Sequence, residues 1–127
     1  MNVIMIPPNL EHVTKIVLDE KPPVMYADTI AGLDLELCKK YFDIWHSVGC
    51  KIVVKASFID DARIAAEAGA DVMIVKGWEG GGHVTFEATT VLVPQAVDLL
   101  DIPVVASGGI ADGRGVAAGI AMGAEGF

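Results

Sequence analysis

The chain has 127 residues, 53% of them apolar and 20% charged, and a net charge of −8. This length bounds it to one domain with a sizeable core, and an acidic balance with no Lys/Arg run argues against nucleic acid or an anionic membrane surface as partner. No stretch approaches the roughly 18 to 20 uninterrupted apolar residues of a spanning helix, and "MNVIMIPPN" has neither a basic segment nor a small-residue cleavage site, so no secretory signal is expected.

In chain order, "NVIMI" (2–6) predicts a strand and "NLEHVTKIVLDE" (9–20) a helix capped by Asn9. "PVMYA" (23–27) is a second strand. The helix at 33–49 has Leu37, Tyr41, Ile44, Trp45 and Val48 at three- and four-residue spacing and stops at Gly49. Cys38 lies within it and Cys50 just beyond, with no CxxC spacing and no histidine cluster. Free thiols in a reducing cytoplasm are therefore expected, with no metal role. "KIVVKA" (51–56) is a strand, 58–69 a helix stopped by Gly69, and "DVMIV" (71–75) a strand. The segment 88–100 contains a helix that Pro94 is expected to start or bend. "IPVVAS" (102–107) is a strand, 113–123 a small-residue helix, and "AEGF" (124–127) the first step into another strand.

Five strand–helix units with continuously apolar strands predict an α/β fold with a parallel sheet covered on both faces. Such units build either a (β/α)₈ TIM barrel or an open doubly wound sheet. The chain begins inside a strand and ends as one begins, so an incomplete barrel of about five units is expected, completed by further segments or by a partner. The polar residues of interest all follow strands, where both folds place their sites.

Four groups stand out. In "VVASGGIADG" (104–113) the backbone N–H groups of Gly108 and Gly109 can approach a phosphate closely; the plainer reading is a tight turn that needs glycine for its dihedrals. In "KGWEGGGH" (76–83) the triple glycine lets the main chain pass a flat ligand, and His83 can take a proton at neutral pH or simply shape the loop. His12 and His46, within helices, are expected at the surface or in grooves, and Glu79 is expected to pin the loop through backbone N–H groups. Lys55 ends its strand, where an ammonium must reach water or meet an anion. Asn2 carries an amide that can both donate and accept, as the edge of a heteroaromatic ring requires. Trp78 and Phe86 flank His83 and either wall a substrate pocket or pack.

These stretches together resemble the nitronate monooxygenase (2-nitropropane dioxygenase) family, whose superfamily includes flavin-dependent enoyl-acyl carrier protein reductases and related quinone reductases. The likeness rests on "GADVMIVKGWEGGGH" (69–83), "IPVVASGGIADGRGVAAGIAMGAEG" (102–126), "IVVKAS" (52–57) and, more weakly, "NVIMIPPN" (2–9). It implies an FMN-binding TIM barrel without a metal, with residues 1–127 forming a partial domain that lacks the family's first two strands and its last. By the same resemblance, His83 is the base beside the flavin, Gly108 and Gly109 hold the FMN phosphate, and Gly81 lies against the cofactor. Asn2 and Lys55 fall near the ring. Lys76 takes a cofactor-touching position where relatives usually carry Gln, Glu or Asp, and its cation would alter flavin polarity or pair with Glu79. The implied reaction is oxidation of alkyl nitronates with O₂. The alternatives are an NAD(P)H-dependent enoyl-acyl carrier protein or quinone reductase on the same barrel, a non-redox phosphate-binding barrel, and a non-catalytic fragment. A small-molecule substrate, and a homo-oligomer or complementing segment, are the expected partners.

Overall fold

The computed structural model describes residues 1–30, 32–83 and 86–127. Five strands and five helices alternate: β1 (Asn2–Ile4), α1 (Pro7–Glu20), β2 (Val24–Asp28), α2 (Leu35–Ser47), β3 (Lys51–Ala56), α3 (Ile59–Glu67), β4 (Val72–Lys76), α4 (Thr89–Leu99), β5 (Val104–Ser107) and α5 (Gly113–Ala121). All strand pairs are parallel and the sheet order is β1-β2-β3-β4-β5. Each new strand joins the same edge, which is the winding of a barrel. A doubly wound sheet would reverse its order partway. A parallel bridge from Val105 to Gly126 continues the series, as expected for "AEGF". The fold is thus an α/β portion of a TIM barrel, incomplete in this chain.

Same-handed crossovers put successive helices on one side, and α1 to α4 pack side by side there. Facing them, Val3, Met25, Ala27, Ile52, Val54, Met73, Val75, Val104 and Ala106 are buried against Leu10, Val17, Phe42, Trp45, Leu92 and Val93. Trp45 Nε1 donates to Thr14 Oγ1 at 3.0 Å, so this core leaves the indole satisfied. The opposite sheet face, carrying Tyr26, Val53, Val72, Ile74 and Val105, is only half-buried. The expectation of cover on both faces is corrected here: helices cover one, and the other is the face that lines a barrel interior.

Local signals account for most boundaries. Asp34 caps α2 through Leu37 N at 2.8 Å, and Asp112 caps α5 through Arg114 N. Asn9 is not a cap: α1 starts two residues earlier, with Pro7 and Pro8 in its first turn, where a missing N–H costs nothing. Pro94 does not start α4, which begins at Thr89 and runs through it. At the amino ends of β3 and β4, Asp71 accepts from Lys51 Nζ at 2.7 Å, from Ile52 N at 2.8 Å and meets His46 Nε2 at 2.8 Å. His12 is exposed and His46 sits half-buried in that cluster, both away from the carboxyl ends of the strands. Cys38 and Cys50 are free and buried.

Candidate active site at the carboxyl ends of the strands

The turns that follow β4 and β5 lie against each other. Gly77 N donates to Ser107 O at 3.1 Å, extending the pairing one step past the strands, and Gly80 N donates to Gly77 O at 3.0 Å. Gly108 and Gly109 both have positive φ, +98° and +75°. A Cβ on Gly108 would stand 2.9 Å from Gly80 N, so close approach as well as dihedral demands glycine there. That packing alone explains the glycine; what points to a ligand is the donors. Among the described residues, neither Gly108 N–H nor Gly109 N–H donates to a protein acceptor. Two adjacent free amides at a strand end suit an anionic oxygen such as that of a phosphate.

Glu79 pins the loop, as its sequence position suggested. Its carboxylate accepts from Thr89 N at 2.9 Å and lies 2.9 Å from Thr89 Oγ1. Burial would raise its pKa, but the Thr89 amide, its own amide and the Thr89 hydroxyl outweigh that and lower it. Thr89 was not singled out in the sequence. Its hydroxyl is also 2.9 Å from Gly108 O, so one side chain at the start of α4 ties both turns together. A threonine opening a helix behind a glycine loop was the available signal.

Two lysines and one aspartate sit on the helix-free face below these turns. Register pairs Asp28 with Lys55, and Lys55 Nζ meets Asp28 Oδ1 at 2.5 Å, the ammonium almost wholly buried. Lys55 therefore meets an anion, and the anion is protein. Lys76 is also buried, and its Nζ donates to Gly81 O at 2.5 Å. No Lys76–Glu79 pair forms among the described residues, because Glu79 is taken by Thr89. Burial, then the neighbouring Lys55, lowers the Lys76 pKa against the opposing pull of Asp28.

The structure thus brings Lys55, Lys76, Gly81, Gly108 and Gly109 to one end of the sheet. His83 follows Gly82 in the same loop and is exposed. Trp78 and Phe86 are exposed as well, at 60% and 96%, so neither packs into the core; residues 84 and 85 between His83 and Phe86 lie outside the described residues. Asn2 is not brought to this end. It is exposed at the start of β1, in register with Tyr26, a row below Asp28 and Lys55 on the edge strand farthest from β5. A separate pocket of about 450 Å³ opens where β1 and β2 end, lined mainly by Met5, Ile6, Ile30, Leu33 and Leu37. Among the described residues, no group of three or more His, Cys, Asp or Glu is placed to hold a metal ion, and no helix is long and apolar enough to cross a membrane.

Residues 5–127 match the family described as nitronate monooxygenase. A probable nitronate monooxygenase of Staphylococcus aureus is 34% identical over 136 residues, an alignment covering 93% of this chain and 38% of that protein. A (3aS,4S,5R,7aS)-5-hydroxy-7a-methyl-1-oxo-octahydro-1H-indene-4-carboxyl-CoA dehydrogenase of Rhodococcus jostii is 48% identical over 80 residues, 63% of this chain and 23% of that enzyme. Among solved structures, FabK from Thermotoga maritima superposes with a TM-score of 0.86 at 38% identity, covering 98% of this chain and 38% of FabK. The chain therefore spans well under half the length of each of these three relatives.

Proposed function

The chain belongs to the nitronate monooxygenase family, and we propose that it forms part of an FMN-dependent oxidoreductase that oxidises alkyl nitronates with O₂. The observation that carries this reading is the contact of the two glycine turns, with the free amides of Gly108 and Gly109 on one and His83 on the other. When bound, FMN supplies the electron-accepting chemistry and the reaction with O₂. Gly108 and Gly109 hold its phosphate through their N–H groups, and Gly81 offers a backbone with no side chain to a flat ring. Lys55 and Lys76 would supply positive charge at this end of the sheet. His83 would accept, on a ring nitrogen, the proton that a neutral nitroalkane loses from the carbon bearing its nitro group, which leaves the nitronate for oxidation.

The test starts from an absorbance spectrum of the purified protein. Bands near ~450 nm and a released chromophore with the mass of FMN are expected; a colourless protein that takes up no added FMN would overturn the reading. Replacing His83 by Ala is expected to leave flavin binding intact and to lower turnover of a nitroalkane by about 10²–10⁴-fold. Undiminished turnover would remove His83 from the chemistry.

One observation favours a second reading: the likeness to the Rhodococcus dehydrogenase, whose substrate is a coenzyme A thioester. On that reading the same site exchanges electrons between NAD(P)H and a thioester. Bleaching of the flavin by NADH or NADPH without air, with turnover of an enoyl thioester and none of a nitronate, would move the assignment there.

A further inference from the structure

Residues 81 to 83 carry the imidazole of the candidate site, yet among the described residues a single hydrogen bond holds them, from Lys76 Nζ to Gly81 O at 2.5 Å. The other side of the loop is tied separately, by Glu79 on Thr89 and by Trp78 N donating to Glu87 O at 2.9 Å. The Lys76 stem also runs under Gly80: a Cβ there would stand 2.7 Å from Lys76 Cγ and Cδ. Lys76 is the last residue of β4, so its Cα is fixed by the sheet and its side chain reaches forward over the sheet end. Its buried ammonium faces Lys55, with Asp28 as the nearby counter-charge. Holding a cation there costs stability, and the hydrogen bond it makes in return, among the described residues, is to the loop.

We propose that Lys76 is a positioning residue, whose ammonium holds the Gly80–His83 arm across the end of the sheet and so presents His83 at the mouth. This deepens the functional reading, since the ring it positions is the base of that reading. It replaces a direct cofactor contact for Lys76 with a contact to the loop.

Two variants of the full chain test it by backbone relaxation at Gly81, Gly82 and His83. Lys76→Met keeps the apolar stem and removes the donor; Lys76→Arg keeps a donor. In the parent and in Lys76→Arg, order parameters near the rigid value of about 0.85 are expected, falling below about 0.6 in Lys76→Met. The melting temperature of Lys76→Met is expected to stay level or rise, because a buried cation has been replaced by an isosteric apolar group. An arm as ordered in Lys76→Met as in the parent overturns the proposal. So does a lowered melting temperature with loosening throughout the sheet, which would make Lys76 an ordinary structural residue. With FMN bound, Lys76→Met is expected to lose about tenfold in kcat with KM unmoved; a loss confined to KM would also count against positioning. Should no form bind FMN, the flavin reading fails while the relaxation result still decides the role of Lys76.

Discussion

Asp71 shows how one carboxylate can hold a sheet together at the end away from the chemistry. Its burial would raise its pKa, but the Lys51 ammonium, the His46 ring and the Ile52 amide outweigh that and bring it to about 2, from an ordinary 3.8. A depressed carboxylate pKa contributes stability that is present above 3.8 and is lost as pH falls through about 2. Since Lys51 is largely exposed and screened, about 1–2 kcal/mol is a fair size for the contribution. Asp71→Asn should lower stability by that amount at pH 7 and flatten the acid limb of a denaturation series between pH 4 and 2, roughly the window of the two pKa values. An unchanged acid limb would show that the cluster does not couple to folding. Cys38 makes the opposite case, its thiol pushed up to about 12 by burial, then by Asp34 and Asp61. Such a thiol should react with an alkylating reagent only as fast as the protein unfolds. The Asp71 cluster was not legible in the sequence, for a physical reason: its partners come from α2, β3 and the turn before β4, and only the parallel register makes them neighbours. Asp28 with Lys55 is the same, an ion pair that exists because β2 and β3 align those two positions.

At the scale of elements, helix α4 has no side-chain cap from its own N-cap residue, Ala88. Its first amide is satisfied instead by Glu79, ten positions earlier and on the loop that carries the glycines. A carboxylate at a helix N-terminus gains from the charge-assisted bond and from the helix dipole together. Glu79→Ala should therefore destabilise by about 1.5–3 kcal/mol, the range for a hydrogen bond to a charged group. Glu79→Gln should recover part of that through its amide oxygen. If both variants melt with the parent, the loop and α4 are held by packing and not by this bond. Which elements form was readable from apolar runs and glycine stops; Gly49 and Gly69 do end their segments with positive φ. What misled the reading of α1 was treating Asn9 as a cap when Pro7 and Pro8 already supply the preset φ of a first turn. The glycine turns were visible as motifs, but their mutual contact was not, since Thr89 and Glu79 that join them are ordinary polar residues until the strands are laid side by side.

For the whole molecule the deciding fact is strand order. An order running β1 to β5 without reversal leaves every helix on one face and an apolar, half-exposed face on the other. Alternation of apolar strands with helices does not by itself separate barrel from doubly wound sheet, since the difference lies in where each crossover returns; the family motifs are what pointed to the barrel, and the strand order agrees with them. The helix-free face holds Val53 and Ile74 beside Lys55, so it mixes an apolar wall with the charged end of the candidate site. An apolar sheet face of this kind is not left to water when another surface can cover it. The chain as it stands should therefore associate through this face, sedimenting above its 13.3 kDa monomer as concentration rises. Val53→Asp with Ile74→Asp should shift it to monomer while the helical signal in circular dichroism is kept, because the core under the helices is untouched. Met73→Asp, on the helix side of the same strand, should unfold the protein outright, since Met73 is fully buried and the new charge would have no partner there. A chain that stays monomeric at every concentration and binds no apolar dye would mean that this face tolerates solvent. Lys55 and Lys76 would remain buried even so, because the single chain already covers them, and the cost of the Lys76 cation and its hold on the loop would stand unchanged.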